Sequence, residues 1–160
     1  MMLKEILSPE SCKKCRICCV FDRDDIWEIP VFSNEQHARI IEKSPSSVFV
    51  PRGSNSWVYD MNFSGDGLAA CPALSENGCT LGENKPFDCK IWPFRVMERG
   101  GEILLTLAPL CEAVNKLDSA SLKAFAEKLA PAAFAEAEKN PDIIKPYAEG
   151  YNIYAVKSHR

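Results

Sequence analysis

The chain has 160 residues, 46% of them hydrophobic and 26% charged, with a formal net charge of −3. That length predicts one domain able to bury a sizeable core without covalent staples. The acidic balance speaks against a general nucleic-acid or membrane-surface binder, which would carry a basic excess. No apolar run has the length of a membrane span or a signal-peptide core, so the expected compartment is the cytoplasm.

The first element is "SCKKCRICCV" (11–20), which puts Cys12, Cys15, Cys18 and Cys19 into eight positions. In a reducing compartment such clustering points to metal binding or redox work rather than disulfides. Cys12, Cys15 and Cys18 repeat a C-x₂-C spacing, so one wrapping loop is expected to offer three sulfurs to a centre. Adjacent side chains project in different directions, so Cys19 is expected to point away, toward a second centre or the core. Lys13, Lys14 and Arg16 either offset thiolate charge or form a solvated face.

Asp22, Asp24 and Asp25 read as a solvated acidic turn. "NEQHARIIEK" (34–43) predicts an amphipathic helix with Ser33 as N-cap and Ile40 and Ile41 facing inward. His37 is placed on its polar face, and His159 in the tail; both read as surface residues. Prolines and glycines break up 44–90, where metal could replace a core. Within it, 56–63 reads as a strand, and Asn77-Gly78 as the turn of a hairpin pairing 72–75 with 79–82.

"FRVMERGGEILLTLAPL" (94–110) is the clearest hairpin. A three-residue turn puts Cys89 opposite Cys111, and a two-glycine turn puts Lys90 there; both bring the two cysteines together. Trp27, Trp57 and Trp92 read as core or lid residues, with Trp92 near enough to Cys89 to shield a centre. From Asp118, an N-cap, an alanine-rich helix presents Leu122, Phe125, Ala126 and Leu129 on one face, and Pro131 is expected to start a second helix. A further helical turn and a tyrosine-rich tail follow. The expected fold is a single α+β domain: a small, irregular, metal-stabilised cysteine-rich half with short β-hairpins (about 12–111), and a helical C-terminal half (118–160).

Cys71, Cys79, Cys89 and Cys111 complete the set of eight. Sulfur-only coordination means zinc or iron–sulfur. No second C-x₂-C is present, as a two-knuckle zinc ribbon would want. A C-x₂-C-x₂-C run with a distant Cys-Pro, here Cys71-Pro72, is closer to iron–sulfur ligation. Two groups of four suit two four-sulfur centres, or one centre plus structural thiols.

The run Cys12-x-x-Cys15-x-x-Cys18-Cys19, then "CPALSENGCTLGENKPFDCKIWPF" and Cys111, resembles the YkgJ-like cysteine-cluster family, described as zinc- or iron-chelating. The resemblance covers about 12–111 and implies Cys12, Cys15, Cys18, Cys19, Cys71, Cys79, Cys89 and Cys111 as ligands. Pro86 and Pro93 match as well. Arg16 departs from a frequent glycine, Lys85-Pro86 from Arg-Pro, and Leu81-Gly82 from an Ile-Tyr pair.

Three functions remain open. The first is an iron–sulfur protein, with one or two clusters of 4Fe-4S type, in a redox or cluster-dependent role with a protein redox partner or protein substrate. The second is a zinc-stabilised binding module without catalysis. The third, implied by flagellin lysine methylases in the family, is protein-lysine methyl transfer, although no G-x-G-x-x-G loop follows a strand.

Overall fold

The computed structural model of the protein describes residues 2–158. After a short 3₁₀ turn, helix α1 (Pro9–Cys15) leads to strands β1 (Val20–Asp22) and β2 (Phe32–Ser33) and to helix α2 (Asn34–Lys43). Five short strands follow: β3 (Phe49–Pro51), β4 (Ser56–Tyr59), β5 (Leu68–Ala70), β6 (Leu74–Ser75) and β7 (Gly78–Cys79). Helix α3 (Phe87–Ile91) precedes the hairpin of β8 (Phe94–Arg99) and β9 (Glu102–Leu107). Helices α4 (Glu112–Asn115) and α5 (Ser119–Lys139) and strands β10 (Lys145–Pro146) and β11 (Asn152–Val156) complete an α+β fold. Among the described residues, no helix is long and apolar enough to cross a membrane.

The largest sheet has four strands in the order β10-β8-β9-β11, with β10 parallel to β8 and the other pairs antiparallel. Arg99 pairs with Glu102, so the two glycines alone form the turn, both at positive φ, which glycine adopts at little cost. Period-two alternation then splits the sheet into two faces. Phe94, Val96, Leu105 and Leu107 join Leu122, Phe125, Ala126 and Leu129 of α5 in the main core, where the Phe94 and Phe125 rings lie 5.5 Å apart. The opposite face, carrying Arg95, Met97 and Thr106, is buried too.

Pro131 lies inside α5, which runs unbroken from Ser119 to Lys139 and does not restart there. A proline inside a helix costs about 3 kcal/mol through its missing N–H and its ring. Pro131 is exposed, whereas Leu122, Phe125, Leu129, Ala130, Ala133 and Ala137 continue one buried face across it. Burying the three large side chains alone is worth about 1.5–3 kcal/mol each, enough to outweigh the break.

The C-terminal part is more than helical. Strands β10 and β11 add to the hairpin 94–107, so the hairpin expected to belong to the cysteine-rich half is the centre of the C-terminal sheet. Nor is the stretch 44–90 without a core. Phe32, Ile40, Tyr59 and Ala73 form a second buried cluster, where the Phe32 and Tyr59 rings meet edge to face at 5.0 Å. The small β2-β4-β3 sheet and the β6-β7 pair contribute to that cluster, whereas Phe21 of the β1-β5 pair packs in the main core. Helix α2 keeps its expected bounds, with a full capping box between Ser33 and Gln36; Ile40 is buried and Ile41 half-buried.

Candidate metal centre

The first four cysteines are set by a helix end rather than by a loop. Cys12 and Cys15 close α1, three residues apart and so on one face of it. Arg16 then takes the left-handed conformation (φ 55°), the only non-glycine with positive φ among the described residues, and its N–H bonds the Cys12 carbonyl. Such a C-terminal stop favours glycine, because a Cβ is strained there. The Arg16 side chain is also bound: Nε donates to the Lys13 carbonyl and Nη2 to the Glu76 carbonyl, which ties this turn to the β6-β7 hairpin. Cys18 and Cys19 follow in a 3₁₀ turn.

Three of the four remaining cysteines sit at the edge of an element. The Cys71 N–H bonds the Cys19 carbonyl (2.7 Å), extending the β1-β5 pair and joining the two halves of the cysteine set. Cys79 ends β7, opposite Leu74. The hairpin turn itself is Glu76-Asn77, one residue earlier than expected, with Gly78 at φ 102° opening the return strand. Cys89 lies within α3, and Cys111 is the residue before α4.

Cys18, Cys19, Cys71, Cys79 and Cys89 line one cavity of about 60 Å³ together with Phe21, Phe32, Leu81, Trp92, Lys85 and Arg95. Cys12, Cys15 and Cys111 do not line this cavity but stand close enough to one another and to Cys18 for their charges to interact. The strand ladder of the hairpin does not extend to Cys89 and Cys111, which sit in α3 and just before α4. The last ladder bond is Ala108 N–H to the Pro93 carbonyl, after which α3 carries Cys89 away toward Cys71 and Cys18. Nor does Cys19 point away from Cys18: their sulfurs lie 3.9 Å apart, near the ~3.8 Å edge of a tetrahedral zinc–sulfur site. Among the described residues, no three His, Cys, Asp or Glu side chains stand ready to hold a metal ion as they lie. Closing on one would require thiols to rotate into the cavity.

Five of the thiols, Cys12, Cys18, Cys71, Cys89 and Cys111, are shifted toward the neutral form. The hydrogen bond with Cys19, and then burial, holds the Cys18 thiol far above its ordinary range. Burial pushes Cys71 up to about 11, against the pull of the Ala73 and Leu74 backbone N–H groups. Burial, reinforced by the Asp88 carboxylate, raises Cys89, while burial and the Cys18 and Cys111 thiols raise Cys12. Neutral thiols packed this closely need a cation before several of them can be thiolates together.

Two cations act on these thiols, and neither belongs to the Lys13, Lys14 and Arg16 set. Lys85 lowers Cys12, and Arg95 opposes the rise at Cys18 and Cys89. Arg95 is 2% exposed and its Nε has no partner, although Nη1 donates to the Asp88 carbonyl (3.1 Å). The Asp88 carboxylate is already engaged: it accepts from the Val31 N–H (3.0 Å) and pairs with Lys145 Nζ (3.4 Å), both residues being buried. A buried guanidinium with an orphaned N–H, facing a cavity of sulfurs, suits an anionic occupant, and a thiolate-bound metal carries that charge.

Lys13 and Lys14 are exposed. His37 is not on a polar surface: it is half-buried and stacks on Trp57 at 4.2 Å and 11°. His159 lies outside the described residues. Asp22, Asp24 and Asp25 form the expected exposed turn, where Asp22 accepts from the Asp24 N–H and Asp25 from Trp27 Nε1. Trp92, 9% exposed, lines the cavity as a lid would. Sequence reasoning missed Arg95, Asp88, Lys145 and Tyr59, the last a buried phenol raised by burial and by Cys71, Cys79 and Cys89. Only Arg95 carried a signal, a charge alternating with Phe94 and Val96 in a strand. In comparison with known proteins, the chain matches no family model, and no curated protein or solved structure is significantly similar to it.

Proposed function

We propose that the protein binds metal through its eight cysteines, carrying one or two iron–sulfur clusters of 4Fe-4S type in a redox or cluster-dependent role. The observation that supports this most is the gathering of five cysteines, from four separate stretches of chain, around one cavity. A water-sized occupant needs roughly 10–15 Å³. A cavity of about 60 Å³ thus takes several atoms, more than a single zinc ion would fill, which favours a cluster.

Cys19, Cys71, Cys79 and Cys89 would hold one centre. Cys12, Cys15, Cys18 and Cys111 would hold the other, with Cys18 placed to serve either. When bound, such a cluster supplies one-electron transfer at a potential set by its surroundings. The chain's own residues do the rest. Phe21, Phe32, Leu81 and Trp92 keep water from the sulfurs, and the Ala73 and Leu74 N–H groups favour the Cys71 thiolate. The order of the cysteines also resembles the YkgJ-like cysteine-cluster pattern, and the left-handed Arg16 occupies the place where that pattern often has glycine. A reducing cytoplasm, where unpaired thiols persist, and a protein redox partner or protein substrate complete the proposal.

A zinc-stabilised module is the second reading, favoured by the 3.9 Å separation of Cys18 and Cys19 sulfurs. Iron and acid-labile sulfide assays on protein purified without oxygen decide between them. Iron with matching sulfide and broad visible absorbance is expected; stoichiometric zinc without sulfide would overturn the iron–sulfur reading.

A further inference from the structure

We propose that Arg95 is the positioning residue of the cavity, donating its Nε–H to a metal-bound sulfur and holding an anionic centre in place. The inference rests on the metal-binding reading above and adds the residue that sets the charge balance of the centre.

A guanidinium offers five donors and cannot give up its proton inside a protein. Burying one without an anion is costly, yet Arg95 is 2% exposed and its Nε is unpartnered. The nearest carboxylate, Asp88, does not pair with it. Asp88 is spent on the Val31 N–H and on Lys145, whose Nζ also donates to the Ile29 carbonyl at 2.9 Å. What fixes Arg95 is backbone. Its Nη1 donates to the Asp88 carbonyl, and its own carbonyl accepts from Thr106 Oγ1 at 3.2 Å. β8 alternation turns Arg95 away from the α5 core and into the cysteine-lined cavity. The side chain is therefore held by a neutral carbonyl at Nη1 and left unmatched at Nε, and it lines the same cavity as Cys18 and Cys89.

Four thiolates around a divalent zinc, or around a 4Fe-4S core, leave a net negative centre. One fixed cation with a free N–H favours that charge over the metal-free cavity, and it favours the reduced cluster, one electron more negative, over the oxidised one.

The test compares wild type, Arg95→Met and Arg95→Lys. Zinc affinity is measured by competition with a chromophoric chelator, the midpoint potential on protein reconstituted with iron and sulfide, and thermal stability on metal-free protein. Arg95→Met is expected to lose about 10–100-fold in zinc affinity, as losing an outer-shell partner does. Its potential should move to more negative values, while the metal-free variant should be at least as stable as wild type, because an unmatched buried charge is gone. A merely structural arginine would weaken both forms alike. Arg95→Lys keeps the charge and should bring the potential back toward wild type, with intermediate affinity. Wild-type affinity and potential in Arg95→Met would overturn the role of Arg95 and leave the metal reading standing; if that variant does not fold, Arg95→Gln, which also removes the charge, replaces it, and wild-type affinity and potential there do the same. A wild type that takes up neither metal would overturn both.

Discussion

The four-stranded sheet with α5 and the cysteine-bearing stretch from Cys12 to Cys89 are built on different principles. In the first, six-residue strands β8 and β9 and a 21-residue helix bury Phe94, Val96, Leu105, Phe125 and Leu129 almost completely. In the second, the strands run two to four residues, and the side chains that converge are thiols, most of them only half-buried. Hydrophobic burial is non-directional and adds up along a long element, so the sheet region carries its own stability. The cysteine region has one small aromatic cluster of its own and many chain crossings to hold. Elements this short gain little by themselves, and under the proposed metal-binding reading the metal would supply the missing energy.

Metal removal should separate the two regions most sharply. Structural thiolate–zinc sites are worth about 10–16 kcal/mol, comparable with the stability of a whole domain. Stripping the metal should abolish hydrogen-exchange protection in β1, β5, β6 and β7 and leave it in β8, β9 and α5. Equal loss in both regions would mean that the division drawn here is wrong. Next comes the core itself. Phe125→Ala should cost about 3–5 kcal/mol in thermal or denaturant unfolding, by the same amount with and without metal.

The third prediction concerns pH. In the unfolded chain Cys71 ionises near its ordinary value of 9.0, and in the folded metal-free protein only near 11. The folded state thus keeps a proton that the unfolded state has lost. Stability from this group is present below pH 9 and drains away as pH climbs toward 11, by a few kcal/mol at most. Metal uptake has the opposite dependence: it must displace thiol protons, so affinity should rise with pH over the same range and binding should release protons measurable by a pH indicator. A metal-free protein equally stable at pH 8 and pH 11 would contradict this account of the buried thiols. The smallest effect is at a helix end. Asp118 caps α5 through the Ser121 N–H, and Asp118→Ala should lower stability by about 1 kcal/mol, with no change in metal content.

Elements with a strong local signal were legible in the sequence. The N-cap of α2 and the cap and buried face of α5 follow from side chains within a few residues of one another, as does the 94–107 hairpin, whose turn the sequence left between three residues and two glycines. Short-range signals failed where distant packing outweighed them. Pro131 should stop a helix, but the buried face running past it is worth more than the break. The tyrosine-rich tail shows no clear strand pattern, and β11 exists because β9 offers it an open edge.

The same division holds at the candidate site. Eight cysteines, four of them in one tight run, raise the expectation of metal from the chain alone, because thiol number and spacing are properties of the sequence. Which sulfurs meet was decided by the fold. Cys71 joins Cys19 through a backbone bond between residues 52 positions apart, and α3 sets Cys89 in the cavity beside Cys18, Cys19 and Cys71. The role of Arg95 belongs wholly to the tertiary structure. In sequence it is one polar residue alternating with apolar neighbours, to be placed on a solvated face. Both faces of β8 are buried, so the side chain that should meet water meets a cavity of thiols, and its unpaired N–H acquires meaning only there.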